Sequence, residues 1–483
     1  MFSCTSAEDV SGHTGCLCHR PEIRALTRRI DADLTRRGFV AGMAASVAAM
    51  GLSKPALAQA PPVPPRPILF TNVRLFDGKS TTLREGASLL VEAGRIKDIA
   101  NGTPAAPDGA RVIDGKGRVL MPGLIDMHWH AMFAALSIPA LMTADLGYVH
   151  LAAAAQAEQT LLRGFTTIRD LGGPSFALKQ VIDEGLSPGP RIYPCGAMIT
   201  ATGGHADLRA LAELPRAAGT PGTLEQTGAS IIADGADEVR MRVREQMLQG
   251  ASQIKIVGGG GVSSPRSPLD ATTFSEPEVR AAVETAADWG TYVAVHAYAP
   301  QTIQRSLSAG VTCIEHGHLM DEATAARLAE RGIWLSTQPF VGDDDSAPLT
   351  GPSRAKQIQV FAGTDSMYRL VRKHGIRTAF GSDLLFSAPL TRRQGTMLTH
   401  LARWYSAAEA LTMATRTNGE LLALSGPRNP YPGKLGVLEK GAFADMILVD
   451  GDPLADLSLI ADPEKNFVLI MKDGKIHKDT VGG

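Results

Sequence analysis

Cysteine is scarce in this chain, with five in 483 residues. Three of them, Cys4, Cys16 and Cys18, fall near the start. Cys195 and Cys313 sit in apolar, strand-like runs and read as buried thiols, which excludes a disulfide-stapled fold. Aromatics make up only 5%. Neither charge sign dominates: 48 Lys+Arg face 49 Asp+Glu, for a net charge of -1. That balance argues against a nucleic-acid partner or an anionic membrane surface. No apolar run reaches the ~20 residues that a bilayer-spanning helix needs. Short repeats and heptads are absent too. What the chain does have is 44% hydrophobic residues and 50 glycines, enough for a large core with many tight strand–helix turns, the profile of an α/β protein.

The N-terminus reads as a targeting segment. Thr35-Arg36-Arg37-Gly38-Phe39-Val40 opens an uncharged stretch running to Ser53, and the segment ends in Ala56-Leu57-Ala58, a small-x-small cleavage site, followed by a Pro-rich spacer. Twin arginines, a short and weakly apolar middle and Ala-x-Ala in this order are the parts of a twin-arginine export signal. The expectation is a signal region with a disordered extension over 1–58 and a periplasmic or secreted mature protein that no longer meets the membrane. This export route is associated with cargo that folds, and often takes up its cofactor, before crossing.

Beyond the signal, residues 68–121 read as short strands separated by glycine turns. From Gly123 the pattern changes to strands alternating with helical stretches, the mark of βαβ units and a parallel sheet. Eight strands are predicted: 123–130, 166–170, 191–198, 253–257, 292–296, 312–316, 333–337 and 378–381. Ser275-Glu276-Pro277-Glu278 and Ser406-Ala407-Ala408-Glu409 are capping boxes, and Asp321 caps a helix running to Glu330. Eight parallel strands with intervening helices fit a closed (β/α)8 TIM barrel over 122–431. The β pattern returns after Gly433. The two flanking segments, 64–121 and 432–480, are expected to pair into one small, discontinuous β-sandwich domain.

Candidate chemistry gathers at strand ends. Gly123-Leu124-Ile125-Asp126-Met127-His128-Trp129-His130 is an apolar run ending in two histidines at i, i+2, a spacing that turns both rings to one face of a strand. Tyr292-Val293-Ala294-Val295-His296 ends in His296, Thr312-Cys313-Ile314-Glu315-His316 ends in His316 with His318 two positions on, and Gly381-Ser382-Asp383 closes the last. The C-terminal face of barrel strands is where such folds place their chemistry, and imidazole with carboxylate is a metal-ligand set. His318 reads as a support to a ligand. Lys255, in Gln253-Ile254-Lys255-Ile256-Val257, is costly in an apolar strand unless its charge is removed or paired. It either snorkels on the outer face or is converted by CO2 into an anionic carbamate able to bridge two metals. Arg266, in the Gly/Ser/Pro loop that follows, reads as a solvated residue.

These motifs together resemble the amidohydrolase superfamily of metal-dependent hydrolases, and the resemblance extends to Gly433–Asp445 with its Gly-x-Leu, Lys-Gly and Ala-Asp elements. It is nearest to the branch of Xaa-Pro dipeptidase-like enzymes, Xaa-Arg and Xaa-Lys dipeptidases and ochratoxin-type amide hydrolases. Trp129 departs from the smaller residues commoner between the two histidines. The resemblance implies a binuclear site: His128, His130 and Asp383 on one divalent ion, His296 and His316 on the other, and carboxylated Lys255 bridging them with a hydroxide. Zinc is the default ion. It also implies hydrolysis of an amide, of peptide or N-acyl amino acid type, with Asp383 moving the proton. His205, in Thr202-Gly203-Gly204-His205, would reach the substrate carbonyl and Tyr298 the carboxylate of a dipeptide or other small-molecule amide. A homo-oligomer is expected. A lactonase, cyclic imidase or deaminase would use the same metals. A catalytically inactive structural relative would lack ligands that are all present here, and a periplasmic binding protein would have no need of them.

Overall fold

A computed structural model describes residues 66–215 and 220–481. The proposed signal segment lies outside these residues. Among the described residues no helix is long and apolar enough to cross a membrane.

The architecture is α/β and barrel-like, and it begins with a sheet drawn from distant parts of the chain. Strands β1 (Ile68–Leu75), β2 (Arg84–Glu92), β3 (Arg95–Asn101), β4 (Arg111–Asp114) and β5 (Val119–Pro122) join β16 (Met446–Val449), β17 (Phe467–Lys472) and β18 (Lys475–Asp479). The order is β18-β17-β16-β5-β1-β2-β3, with β4 also paired to β1. The joint is the antiparallel ladder of β5 on β16, which sets Pro122 against Met446 and Val119 against Val449. Leu75, Leu89, Leu120, Leu448 and Leu469 are buried together in the core on this sheet.

The remaining strands are parallel. β6 (Leu124–Trp129), β7 (Phe165–Asp170) and β8 (Arg191–Pro194) form one sheet. β9 (Met198–Thr200), β10 (Ser230–Ile232), β11 (Ile254–Val257), β12 (Val293–Ala297), β13 (Cys313–His316), β14 (Trp334–Thr337) and β15 (Thr378–Phe380) form another. Two seams connect them. Asn418 donates to the carbonyls of both Ile125 and Phe380 at 2.7 and 2.8 Å, and Asp383 N–H donates to His128 O at 2.8 Å. On the other side Ser252 N–H donates to Pro194 O at 2.8 Å and Gln253 to Tyr193 O at 2.9 Å.

The strands predicted from sequence are present, with one difference. The expected third strand, 191–198, breaks after Pro194 and resumes at Met198. Gly196 causes the break: its φ is +76°, and a Cβ there would lie 2.3 Å from Gln246 Oε1. The helix starts follow local chemistry. Ser275 and Glu278 form the expected box ahead of Glu276–Asp288, and Asp321 accepts from Thr324 N–H to cap Glu322–Glu330. Cys195 and Cys313 are free and buried.

Candidate metal centre

The first two imidazoles arrive on β6. Its ladder with β7 slips between Asp126 and Trp129, so three steps on β6 match two on β7. His128 lies within the strand, His130 just beyond it, and their ring centroids are 5.3 Å apart. Asp383 enters from the loop after β15. Its Oδ1 lies 3.5 Å from Nε2 of both histidines. One ligand atom from each of the three falls within 4.8 Å of the others. His316 ends β13, with its ring 4.7 Å from His128 and 4.4 Å from His296. Lys255, His205 and Tyr298 line the same cleft. All eight sequence-predicted site residues therefore come to one place, and Lys255 faces the cleft instead of the outer wall. His318 does not join them. It stacks on Phe340 and bonds to Gln338 O at 2.9 Å. Arg266 is exposed.

Backbone strain helps to assemble the group. His316 has φ +76° and Asp383 φ +53°, a region that costs a non-glycine residue roughly 1–2 kcal/mol. Strand alternation alone would send Glu315 and His316 to opposite faces, yet both reach His128. The left-handed turn at His316 is what reconciles them.

Hydrogen bonds fix the tautomers of the candidate ligand rings. His128 Nδ1 lies 2.9 Å from a Glu315 carboxylate oxygen, His130 Nδ1 3.4 Å from Gly172 O, and His316 Nδ1 2.8 Å from Gln338 Oε1. These partners accept, so each ring carries its proton on Nδ1 and keeps a lone pair on Nε2. His296 is reversed: Nε2 donates to Gly260 O at 3.0 Å, leaving Nδ1 free. Burial pulls His128, His296 and His316 well below the usual imidazole range, so these rings are neutral. The Lys255 amine is pushed down from its ordinary value, first by burial, against the pull of Glu315 and Asp383. Neutral imidazoles with uncommitted lone pairs beside a carboxylate and a buried amine fit divalent metal ions.

His205 is set separately. Its Nδ1 is 2.8 Å from Ser264 Oγ, which already accepts from Ala206 N–H at 3.0 Å. Where the Ser264 hydroxyl gives its proton to Nδ1, the ring keeps its own proton on Nε2, the tautomer in which it can act as a donor. Burial holds His205 down at about 3, so it donates as a neutral group. Gly261 lets the loop lie against this ring, since a Cβ there would sit 2.3 Å from His205 Cγ. Lys356 pins that loop, donating to the carbonyls of Gly261, Ser264 and Ser267 at 2.7, 2.5 and 2.9 Å. Tyr298 is buried, stacked 4.7 Å from His316 and edge-on to His296.

Several supporting residues were not singled out from sequence as part of the site. Glu315 is fully buried between His128 and Arg169, whose guanidinium donates at 2.6 Å. Asp126, also buried, accepts from His128 N–H and Ser382 N–H at 3.0 Å each, tying the first ligand to the loop of the last. The signal was there: an acid inside an apolar strand is as costly as the lysine that did attract notice.

A cluster of neutral imidazoles and a carboxylate at strand ends defines an α/β enzyme scaffold able to hold metal, a hydrolase by its relatives. A model of the Amidohydrolase family matches residues 119–483, and the chain belongs to that family. It is similar to the ochratoxinase of Aspergillus niger, at 29% identity over 380 residues, 74% of this chain and 76% of that one. Among solved structures it resembles an amidohydrolase at 36% identity and TM-score 0.78, covering 86% of this chain and 99% of the other. It also resembles a prolidase complexed with N-methylphosphonate-L-proline, at 31% identity and TM-score 0.79, covering 86% and 100%.

Proposed function

We propose that this protein is a binuclear metal-dependent amidohydrolase that cleaves an amide bond of peptide or N-acyl amino acid type. His128, His130 and Asp383 would hold one divalent ion, His296 and His316 a second, and Lys255, carboxylated by CO2, would bridge them. Imidazole and carboxylate donors suit zinc. Bound ions of this kind supply an acidified water and polarise a carbonyl.

The chain's own residues supply the rest. Asp383 is placed to take a proton from the attacking water and return it to the leaving nitrogen. His205 Nε2–H donates to the substrate carbonyl oxygen as negative charge develops there, and it stays neutral while doing so. The Tyr298 hydroxyl meets a substrate carboxylate. The proposal includes a closed (β/α)8 barrel over 122–431, a composite β-sandwich from 64–121 and 432–480, export directed by 1–58, and a homo-oligomeric mature protein.

The observation that carries this reading is the meeting of six ligand-type side chains from β6, β11, β12, β13 and the loop after β15 in one cleft. The test is metal analysis of the zinc-loaded mature protein, together with hydrolysis of a panel of N-acyl amino acids and Xaa-Pro, Xaa-Arg and Xaa-Lys dipeptides. Two equivalents of metal with turnover of an amide are expected. Absence of both metal and turnover overturns the proposal.

A further inference from the structure

The cleft has a divided lining. Among the described residues, every ionisable side chain that faces it belongs to the site described above, and the rest of the wall is apolar or uncharged. The apolar part begins at the ligands themselves. Met132 and Phe133 follow His130, and Leu385 and Phe386 follow Asp383, while Val360 and Phe361 arrive from the helix Gly351–His374. It continues outward to the rim, where Met142 and Leu146 also line the cleft and are 36% and 42% exposed. Large apolar side chains are not usually left at a surface in a group without a use, and such patches mark binding sites.

This lining has consequences for what can enter. A charged group carried into these walls loses its water and finds no counter-charge, and such transfers are heavily penalised. A methylene carried there gains about fourfold in association at the usual transfer value. If Tyr298 takes the carboxylate of the leaving amino acid, the apolar walls are left for the other side of the scissile bond.

Resting on the amidohydrolase reading, we propose that the substrate is an N-acyl amino acid whose acyl group is bulky, apolar and uncharged. On this view the walls built by Phe133, Phe361, Leu385 and Phe386 set the specificity.

The test compares N-acetyl-, N-hexanoyl- and N-decanoylglycine with chains of equal length ending in an ammonium or a carboxylate, using zinc-loaded protein. The expected result is a rise in kcat/KM of about fourfold per added methylene until the walls are filled. The charge-terminated chains should fall at least about a hundredfold below their apolar counterparts. Met142→Glu, at the exposed rim, should narrow the ratio between the decanoyl and ammonium-terminated substrates at least tenfold. A flat series, or equal turnover of the charged chains, overturns this proposal while leaving the amidohydrolase reading intact. Failure to hydrolyse any amide sinks that reading instead. In that case calorimetric binding of N-decanoylglycine to the Asp383→Asn protein still decides the wall preference. Binding that tightens with chain length and shows a negative heat-capacity change supports it, and binding indifferent to chain length overturns it.

Discussion

Replacing Glu315 by glutamine tests two parts of the site at once. Glu315 and Arg169 are both fully buried, 2.6 Å apart, and the other carboxylate oxygen lies 2.9 Å from His128 Nδ1. Glutamine keeps the shape but removes the charge. The Arg169 guanidinium then has only neutral acceptors, among them Met127 O at 2.7 Å, Tyr292 OH at 3.0 Å and Cys313 Sγ at 3.5 Å. Breaking a buried ion pair on one side costs about 3–5 kcal/mol. The amide also has a single oxygen to share. If that oxygen stays with Arg169, the amide NH2 faces His128 Nδ1, which must give up its proton. The proton moves to Nε2, the atom 3.5 Å from Asp383, and a protonated nitrogen cannot ligate. Losing such a supporting contact weakens metal binding about 10–100-fold. Denaturant unfolding of metal-free protein reads the first effect, and zinc titration against a chromophoric competitor reads the second. Unchanged stability refutes the buried-pair argument. Zinc affinity equal to wild type, in a destabilised protein, refutes the tautomer argument.

Three further outcomes follow from the same geometry. Lys255→Ala and Asp383→Ala should each abolish amide turnover while circular dichroism and thermal unfolding stay near wild type; wild-type rates in either variant count against the mechanism. Gly261→Ala drives a Cβ into the His205 ring and should lower kcat by roughly 10²-fold, the usual loss for an oxyanion donor, with zinc stoichiometry unchanged by elemental analysis. Metal-free protein should lose stability in acid. His205 and His318 are held by burial at about 3 and about 4, below the 6.5 of an exposed imidazole. The unfolded chain therefore takes up protons that the folded one refuses as pH falls from about 6.5 toward 4, and stability drops by a few kcal/mol across that window. A flat stability profile there, measured by urea unfolding, contradicts the burial argument.

The eight predicted strands were legible because each is a short apolar run with marked helix starts between them, and most of the candidate ligands stood out because they sit where those runs stop. The third strand was misread in length, since nothing local announced that Gly196 takes a left-handed turn against Gln246. Glu315, Arg169 and Gln338 were not legible as site residues. Each is defined by a partner from another strand, and the inward turn of His316 that lets Glu315 share His128 is a backbone property that residue spacing does not carry. Ser264 and Lys356 were hidden for a similar reason: a loop residue and a helix residue acquire their role only when the chain brings them over His205.

Only Gly123 separates β5 from β6, and Gly123 N–H donates to Asp445 O beside the β5–β16 ladder. The strand that presents the first two histidines is thus clamped by a segment synthesised near the end of translation. A growing chain still lacking β16 has no such clamp, so the support beneath the strand of His128 is completed only when that late segment has been made.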